Sequence, residues 1–386
     1  MSLLCSHSKR NCAVIDPGNC AVIITKGWNS KNFGEETPKK PMILPITAIA
    51  LVITRVTASL GLRLGLADAP DARKQHNGNV PLTGGIAIFL TIISCSLILD
   101  MPTHTHFGVM ACVAIAVFVV GVWDDIRHLN PWLRLTFLYC CGLVMALYGG
   151  IAIHNVGNLL AMGDIPLLLL TAPLTALAVA GLSNAYNMID GIDGLAASMM
   201  ALPLMVLYAL ALQSGHPSSN YLLLLIVPVL VFLLFNLGPN NKLLPRIFLG
   251  DGGSLTMGLL VTAALILSSQ GERALILPVT ALWLVAVPLM DMLATMLRRA
   301  KHGRKLMEAD RSHLHHTLMD MGFSSRQTLV LLLAYGSACA LIGLALEATT
   351  EYLSLLCYFL LFIGHCAFVI RSEAIGKHLG RYLHAR

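Results

Sequence analysis

The sequence predicts an all-α polytopic integral membrane protein of about eleven transmembrane helices, N-terminus outside and C-terminus cytoplasmic. Three observations predict it. Of 386 residues, 56% are hydrophobic and 12% charged, against roughly 25% charged in a soluble domain. Apolar runs long enough to cross a bilayer, about 20 residues each, recur from Met42 to Ile370 with short polar breaks. Lys and Arg gather almost wholly in alternate breaks.

Taken in order, the spans begin near Met42, Pro81, Phe107, Leu135, Pro166, Leu195, Tyr221, Leu255, Ala274, Thr328 and Leu353. Lipid offers no partner to open backbone, so each must be helical. The breaks at 63–80, 124–134, 185–194, 239–254, 298–327 and 371–386 hold 18 Lys and Arg, and the opposite breaks hold Arg273 alone. The positive-inside rule places the first set in the cytoplasm, and an odd number of spans then starts the first helix outside. With no soluble-domain-sized insertion, residues 42–386 form one membrane-embedded domain. Residues 1–41 are the exception. Their six cations (Lys9, Arg10, Lys26, Lys31, Lys39 and Lys40) sit poorly on an outer face, and they lack a signal-peptide apolar core. Met42 is therefore expected as the initiator, with 1–41 an unmatched extension from a mis-assigned start or a tail outside the domain.

Composition also removes function classes. Three of the ten cysteines lie before Met42 and seven inside apolar runs, with no metal-type C-x-x-C pair, so neither a disulfide framework nor a zinc ribbon is supported. The net charge of +6 follows from loop orientation rather than nucleic-acid binding. A secondary transporter expects its polar groups near the bilayer midplane, whereas the acidic clusters here fall at span ends.

Four clusters lie on the cytoplasmic side. Asp124 and Asp125 in GVWDDIRHL repel each other at the end of an apolar run; a solvated helix end or a divalent cation would each account for them. In NAYNMIDGIDG, Asn184, Asn187, Asp190 and Asp193 recur every three residues, a spacing that on a helix lines them along one face. Amides followed by carboxylates suit a polar ligand with a metal. In RIFLGDGGS, Asp251 lies between two glycines just before a span, where a tight turn and free helix-start N–H groups favour phosphate. The longest loop carries Arg298, Arg299, Lys301, Arg304, Lys305 and Arg311, then His313, His315 and His316; in a helix only His313 and His316 share a face, which with no thiolate nearby favours phosphate contact over zinc. Asp291 is a lone acid within a span. Oxygen ligands on one membrane face describe a Mg2+ site, with Arg and His completing a polyanion site.

The collinear set RKQHNGNVPLTGGIAIF, GVWDDIRHLNPWLR, NAYNMIDGIDGLA, RIFLGDGGSLTMG and DRSHLHHTLMDMGFSSRQT resembles the polyprenyl-phosphate N-acetylhexosamine-1-phosphate transferases from about Met42 to the C-terminus. DRSHLHH followed by GFSSRQ resembles the branch that uses N-acetylglucosamine 1-phosphate rather than the muramoyl-pentapeptide branch. The resemblance implies an enzyme of the bacterial inner membrane that transfers N-acetylglucosamine 1-phosphate from UDP-N-acetylglucosamine to undecaprenyl phosphate. UMP leaves, and the step opens a surface polysaccharide such as O antigen or a related polymer. It implies Mg2+, with Mn2+ as a substitute, and Asp251, Asp124 and Asp125 as metal residues. It further implies Asp190, Asp193, His313, His315 and His316 beside the Asp124–Asp125 pair as catalytic. Lys74, His76, Asn184, Asn187, Phe248, Arg299 and Arg311 are implied as substrate-binding. Other UDP-hexosamines remain open as donors, Asp124 or Asp125 could serve as base or only with the metal, and a homodimer is admitted as an assembly state.

Overall fold

The computed structural model describes residues 42–68, 80–99, 105–307 and 313–383. Helix α1 (Ile43–Arg63) leads into a two-stranded antiparallel ladder, β1 (Ala67–Asp68) against β2 (Val80–Pro81), with Asp68 opposite Val80. Then come α2 (Gly84–Ile98), α3 (Thr105–Arg127), α4 (Pro131–Tyr148), α5 (Thr171–Ile189), α6 (Leu195–Gln213), α7 (Ser219–Asn236) and α8 (Gly250–Ser269). The chain closes with α9 (Pro278–Leu284), α10 (Ala286–Lys301), α11 (Leu314–Asp320), α12 (Ser325–Leu346) and α13 (Glu351–Leu383).

Nine helices among the described residues are long and apolar enough to cross a bilayer, which makes the protein polytopic. Two of the eleven expected spans differ. α2 has only 15 residues. The span expected from Ala274 is broken, with α9 and α10 meeting at 77°. Pro288 explains the break: it has no N–H to donate to the Leu284 carbonyl four residues back, and its ring crowds that carbonyl. Elsewhere local chemistry sets the helix ends. Asn130 caps α4 by accepting from Trp132 N at 2.9 Å, with Pro131 in the first turn. Ser324 and Gln327 form a reciprocal capping box on α12.

The bundle is built around α8, whose spanning window is 83% buried, against 22–28% for α1, α3, α4, α12 and α13. Small residues permit this. The Cα of Gly121 on α3 and that of Gly85 on α2 leave no room for a side chain against Gly252 and Gly253 of α8, and Gly258 faces the Ser183 backbone of α5. In lipid such close backbone approach replaces the hydrophobic drive that water supplies elsewhere. The stretch before α8 is extended and zips onto the start of α2: Phe248 N donates to Pro81 O at 2.9 Å, and Gly84 N and Gly85 N donate to Phe248 O and Leu249 O, each at 2.8 Å. The entries to α2 and α8 are thereby fixed side by side.

Gly85→Ala is expected to lower stability by about 1–3 kcal/mol, because the new methyl meets the Gly253 backbone rather than a side chain that can turn away. Thermal unfolding in detergent checks this, and an unchanged melting temperature would show that α2 and α8 can separate freely.

Candidate active site

One end of the bundle collects the last turns of α3 and α5 and the first turns of α4, α6 and α8, and four aspartates converge there. Asp125, at the end of α3, accepts from the backbone N–H groups of Asp251 at 2.8 Å and Gly252 at 3.2 Å. These are first-turn amides of α8, which have no partner within their own helix. Gly250 turns into α8 at φ +73°, a conformation costly for L side chains, and a Cβ there would lie 2.8 Å from Asp125 Oδ2.

Asp124 is almost fully enclosed. Its Oδ2 accepts from Arg134 Nη1 at 2.7 Å and its Oδ1 from Leu129 N at 2.7 Å. Arg134, in the first turn of α4, also donates Nη2 to Asn184 Oδ1 at 3.2 Å and lies 3.8 Å from Asp251 Oδ2. A single guanidinium therefore joins α3, α5 and α8. Asn187 Nδ2 completes the link, donating to Asp251 Oδ1 at 2.6 Å and to Ser254 Oγ at 3.0 Å.

The Asn/Asp row divides at Asp190. Asn184 and Asn187 ride the last turns of α5, whereas Asp190 ends the helix and Asp193 lies in the turn before α6. The straight row expected on one helix is thus half helix and half turn, broken at Asp190, whose ψ of 57° leaves the helix. Arg246 Nη2 lies 3.5 Å from Asp193 Oδ2 and steadies that turn. Asp190 is open to solvent on one side yet ringed with protein elsewhere. That enclosure, then the negative charges of Asp251, Asp125 and Asp193, pushes its carboxyl up to about 8.

The histidine segment docks onto the same turn. The His315 ring lies where a side chain on Gly191 would project, so only glycine fits beside Asp190. His313 precedes α11 rather than belonging to it, which overturns the shared face expected for His313 and His316. His313 instead stacks with His315 at 5.9 Å between ring centroids and 8° between planes, and His316 lies 4.2 Å from His315. Asp291, the lone acid within a span, is paired: its Oδ2 lies 2.9 Å from His313 Nδ1, and its Oδ1 accepts from Leu314 N at 2.8 Å.

Residues 107–269, which carry the aspartate cluster, match the family described as glycosyl transferase family 4. A Yersinia pestis protein named undecaprenyl-phosphate alpha-N-acetylglucosaminyl 1-phosphate transferase is 32% identical over 347 residues, 88% of this chain and 94% of its own length. The protein of that name from Escherichia coli strain K12 is 33% identical over 88% of this chain and 92% of its own. A Bacillus subtilis protein named as a probable undecaprenyl-phosphate N-acetylglucosaminyl 1-phosphate transferase is 30% identical over 81% of this chain and 86% of its own. The chain belongs to glycosyl transferase family 4.

In this family 4 protein, Asp124, Asp125, Asn184, Asn187 and Asp251 form one hydrogen-bonded unit, with Asp190 and Asp193 at its edge. Asp251 sits within α8 rather than in a turn before it. Phe248 is half-buried in the extended stretch leading to α8. Arg299 is buried on α10, and its Nη1 donates to Leu306 O at 2.8 Å, so part of its bonding capacity closes its own loop. Lys74, His76 and Arg311 lie outside the described residues. Sequence reasoning counted Arg134 and Arg246 only as orienting charge; the signal it passed over is that a lone arginine beside an acidic motif has an obvious partner.

Asp190 yields a pH prediction. Its carboxyl holds a proton in the folded state that an unfolded chain releases near pH 4, so its ionisation costs stability increasingly as pH rises from about 4 towards 8. In EDTA, Asp190→Asn is expected to melt above the wild type at pH 8 and to lose that advantage by pH 4. Identical melting curves at pH 8 would remove Asp190 from the like-charge cluster.

Proposed function

We propose that this protein transfers N-acetylglucosamine 1-phosphate from UDP-N-acetylglucosamine to undecaprenyl phosphate, releasing UMP at the cytoplasmic face of a bacterial inner membrane. The observation that carries this reading is the Asp124–Arg134–Asp251 unit at one end of an apolar bundle, in a chain whose relatives are named for this transfer. Acceptor chemistry agrees. Trp123 and Ile126 flank the acidic pair on α3, Trp132 and Leu133 start α4, and all four are more than half exposed. Tryptophan favours the lipid–water boundary, so a lipid phosphate meets the carboxylates without leaving the membrane surface. From Met42 onward the loops on this side hold nearly all the Lys and Arg, which supports the cytoplasmic assignment.

Charge balance supports a divalent cation. Asp124, Asp125 and Asp251 face one guanidinium, with Asp190 holding its proton beside them, and an uncompensated like-charge pair at about 4 Å costs about 4 kcal/mol at an effective dielectric near 20. A diphosphate would add to that repulsion. Asp124 and Asp125 spend oxygens on Arg134 and backbone amides, whereas Asp251 and Asp190 keep solvent-facing surface. Among the described residues, no group of three His, Cys, Asp or Glu side chains is arranged to hold a metal ion by itself. That pattern suits Mg2+, which takes one or two carboxylates and completes its shell with water and phosphate, better than a closed zinc cage. When bound, Mg2+ supplies the positive charge that a diphosphate needs beside these carboxylates.

The chain's own residues then align the reactants. Arg134, held by Asp124 and Asn184, offers fixed N–H donors to a phosphate oxygen. Asn187 orients Asp251, and the His313–His316 segment faces the Asp190 turn as the sugar-phosphate end. An oxygen of the lipid phosphate attacks the donor's β-phosphorus, the bridging P–O bond breaks, and UMP departs. The sugar C1–O bond survives, so the anomeric configuration is kept, and one phosphoanhydride replaces another, so UMP reverses the reaction. The acceptor's second pKa is about 6, which makes it largely dianionic at neutral pH. Phosphoryl transfer then asks mainly for alignment and charge neutralisation, and a general base is not required.

The test is UMP release by the purified full chain with undecaprenyl phosphate and Mg2+. UDP-N-acetylglucosamine is expected to react, and UDP-N-acetylgalactosamine and the muramoyl-pentapeptide nucleotide are not. EDTA should abolish release, and Asp251→Asn or Asp124→Asn should cut turnover at least about a hundredfold. Release from the muramoyl nucleotide alone would overturn the donor assignment, and full activity of either variant would remove that residue from the site.

A further inference from the structure

We infer that Asp291, an acid within the broken span, is a positioning residue that acts through His313, and the inference rests on the functional reading above. Asp291 is 1% exposed, and each of its oxygens meets a different part of the histidine segment. Oδ2 takes His313 Nδ1 at 2.9 Å, and Oδ1 takes Leu314 N at 2.8 Å, across a separation of more than twenty residues. A buried carboxylate without such partners is expensive in lipid. Here both partners come from the short segment that enters α11, so Asp291 fixes that segment's place as well as its own charge.

The consequences pass along a short chain of contacts. With Nδ1 held against the Asp291 carboxylate, the orientation of the His313 ring is fixed and Nε2 is turned away from Asp291. His313 stacks in parallel on His315. His315 in turn occupies the space over Gly191, next to Asp190. α10 is itself seated on the site, since Met292, the residue after Asp291, lies with its sulfur 3.8 Å from Asn184 Nδ2. The hydrogen bonds of Asp291 go to His313 and Leu314 rather than to the aspartate cluster, yet it determines where the histidines meet that cluster.

Asp291→Asn separates the roles. The amide oxygen still accepts from Leu314 N, but an NH2 group now faces His313 Nδ1 and cannot take its proton. Three variants decide the matter: Asp291→Asn, His313→Ala and the double substitution, compared with wild type in UMP release and in diethyl pyrocarbonate labelling mapped to His313, His315 and His316. Asp291→Asn is expected to lower kcat on the order of a hundredfold with little change in KM. The double variant should be no slower than His313→Ala, because residues acting as a unit are non-additive. Labelling of His313 should rise in Asp291→Asn even where the melting temperature is kept. Wild-type kcat in Asp291→Asn, or costs that multiply in the double variant, would overturn the inference. A wild type inactive with every donor would overturn the functional reading instead; labelling would still decide the positioning role, since unchanged His313 labelling in Asp291→Asn overturns it and raised labelling upholds it.

Discussion

Asp125 capping the start of α8 is the contact on which the site depends. α8 is the most buried spanning helix, and its first amides, like those of any helix, lack partners within it. A carboxylate from α3 supplies them, and the positive end of the helix dipole favours that negative charge. Because the cap comes from another helix, satisfying α8 also sets the distance between α3 and α8. Asp251 is the second residue of α8, so the same bond that ends the amides' isolation delivers a second carboxylate beside the first pair. Replacing the flanking glycines would obstruct this twice over, through the left-handed turn at Gly250 and through the close approach of Gly252 to Gly121.

Delivering like charges to one place creates the next problem, which Arg134 answers in part. Its guanidinium meets Asp124 and Asn184 and approaches Asp251, which neutralises one charge and leaves the cluster net negative. Enclosure first, and this remaining negative charge second, raise the carboxyl of Asp190. For the transfer proposed above, such a cluster next to exposed tryptophans would take a cation and a phosphate together. Either alone would be held less well, since a phosphate without a cation is repelled and a cation without a phosphate lacks ligands.

Much of this was legible in the sequence, for identifiable reasons. Span positions follow from hydropathy because lipid permits only helices there, and the acidic motifs stand out because charge in such a chain is rare. The break at Val285 was not read, although Pro288 announces it, because an apolar run looks continuous whether or not its hydrogen-bond ladder is. The spacing of the Asn/Asp row suggests one helical face, but α5 ends at Ile189, midway through it. Arg134 was hidden among topogenic cations: periodicity places a residue on an element, while ion pairs between elements depend on packing that a single sequence does not display.

The histidine motif makes the same point in reverse. Three histidines, the first two residues from the second and the second one residue from the third, suggest different partners in a helix and in an extended segment, and here the boundary falls between them. His313 is extended at φ −68° and ψ 154°, and α11 begins one residue later. That boundary is set by Asp291, which accepts from Leu314 N, the first amide of α11. Asp291 reaches it from α10, which the chain enters through a 77° bend after α9 and which meets α5 where Met292 approaches Asn184. A proline in one helix thus governs which histidine rings stack in a segment more than twenty residues away, and through Gly191 it governs what those rings present to Asp190.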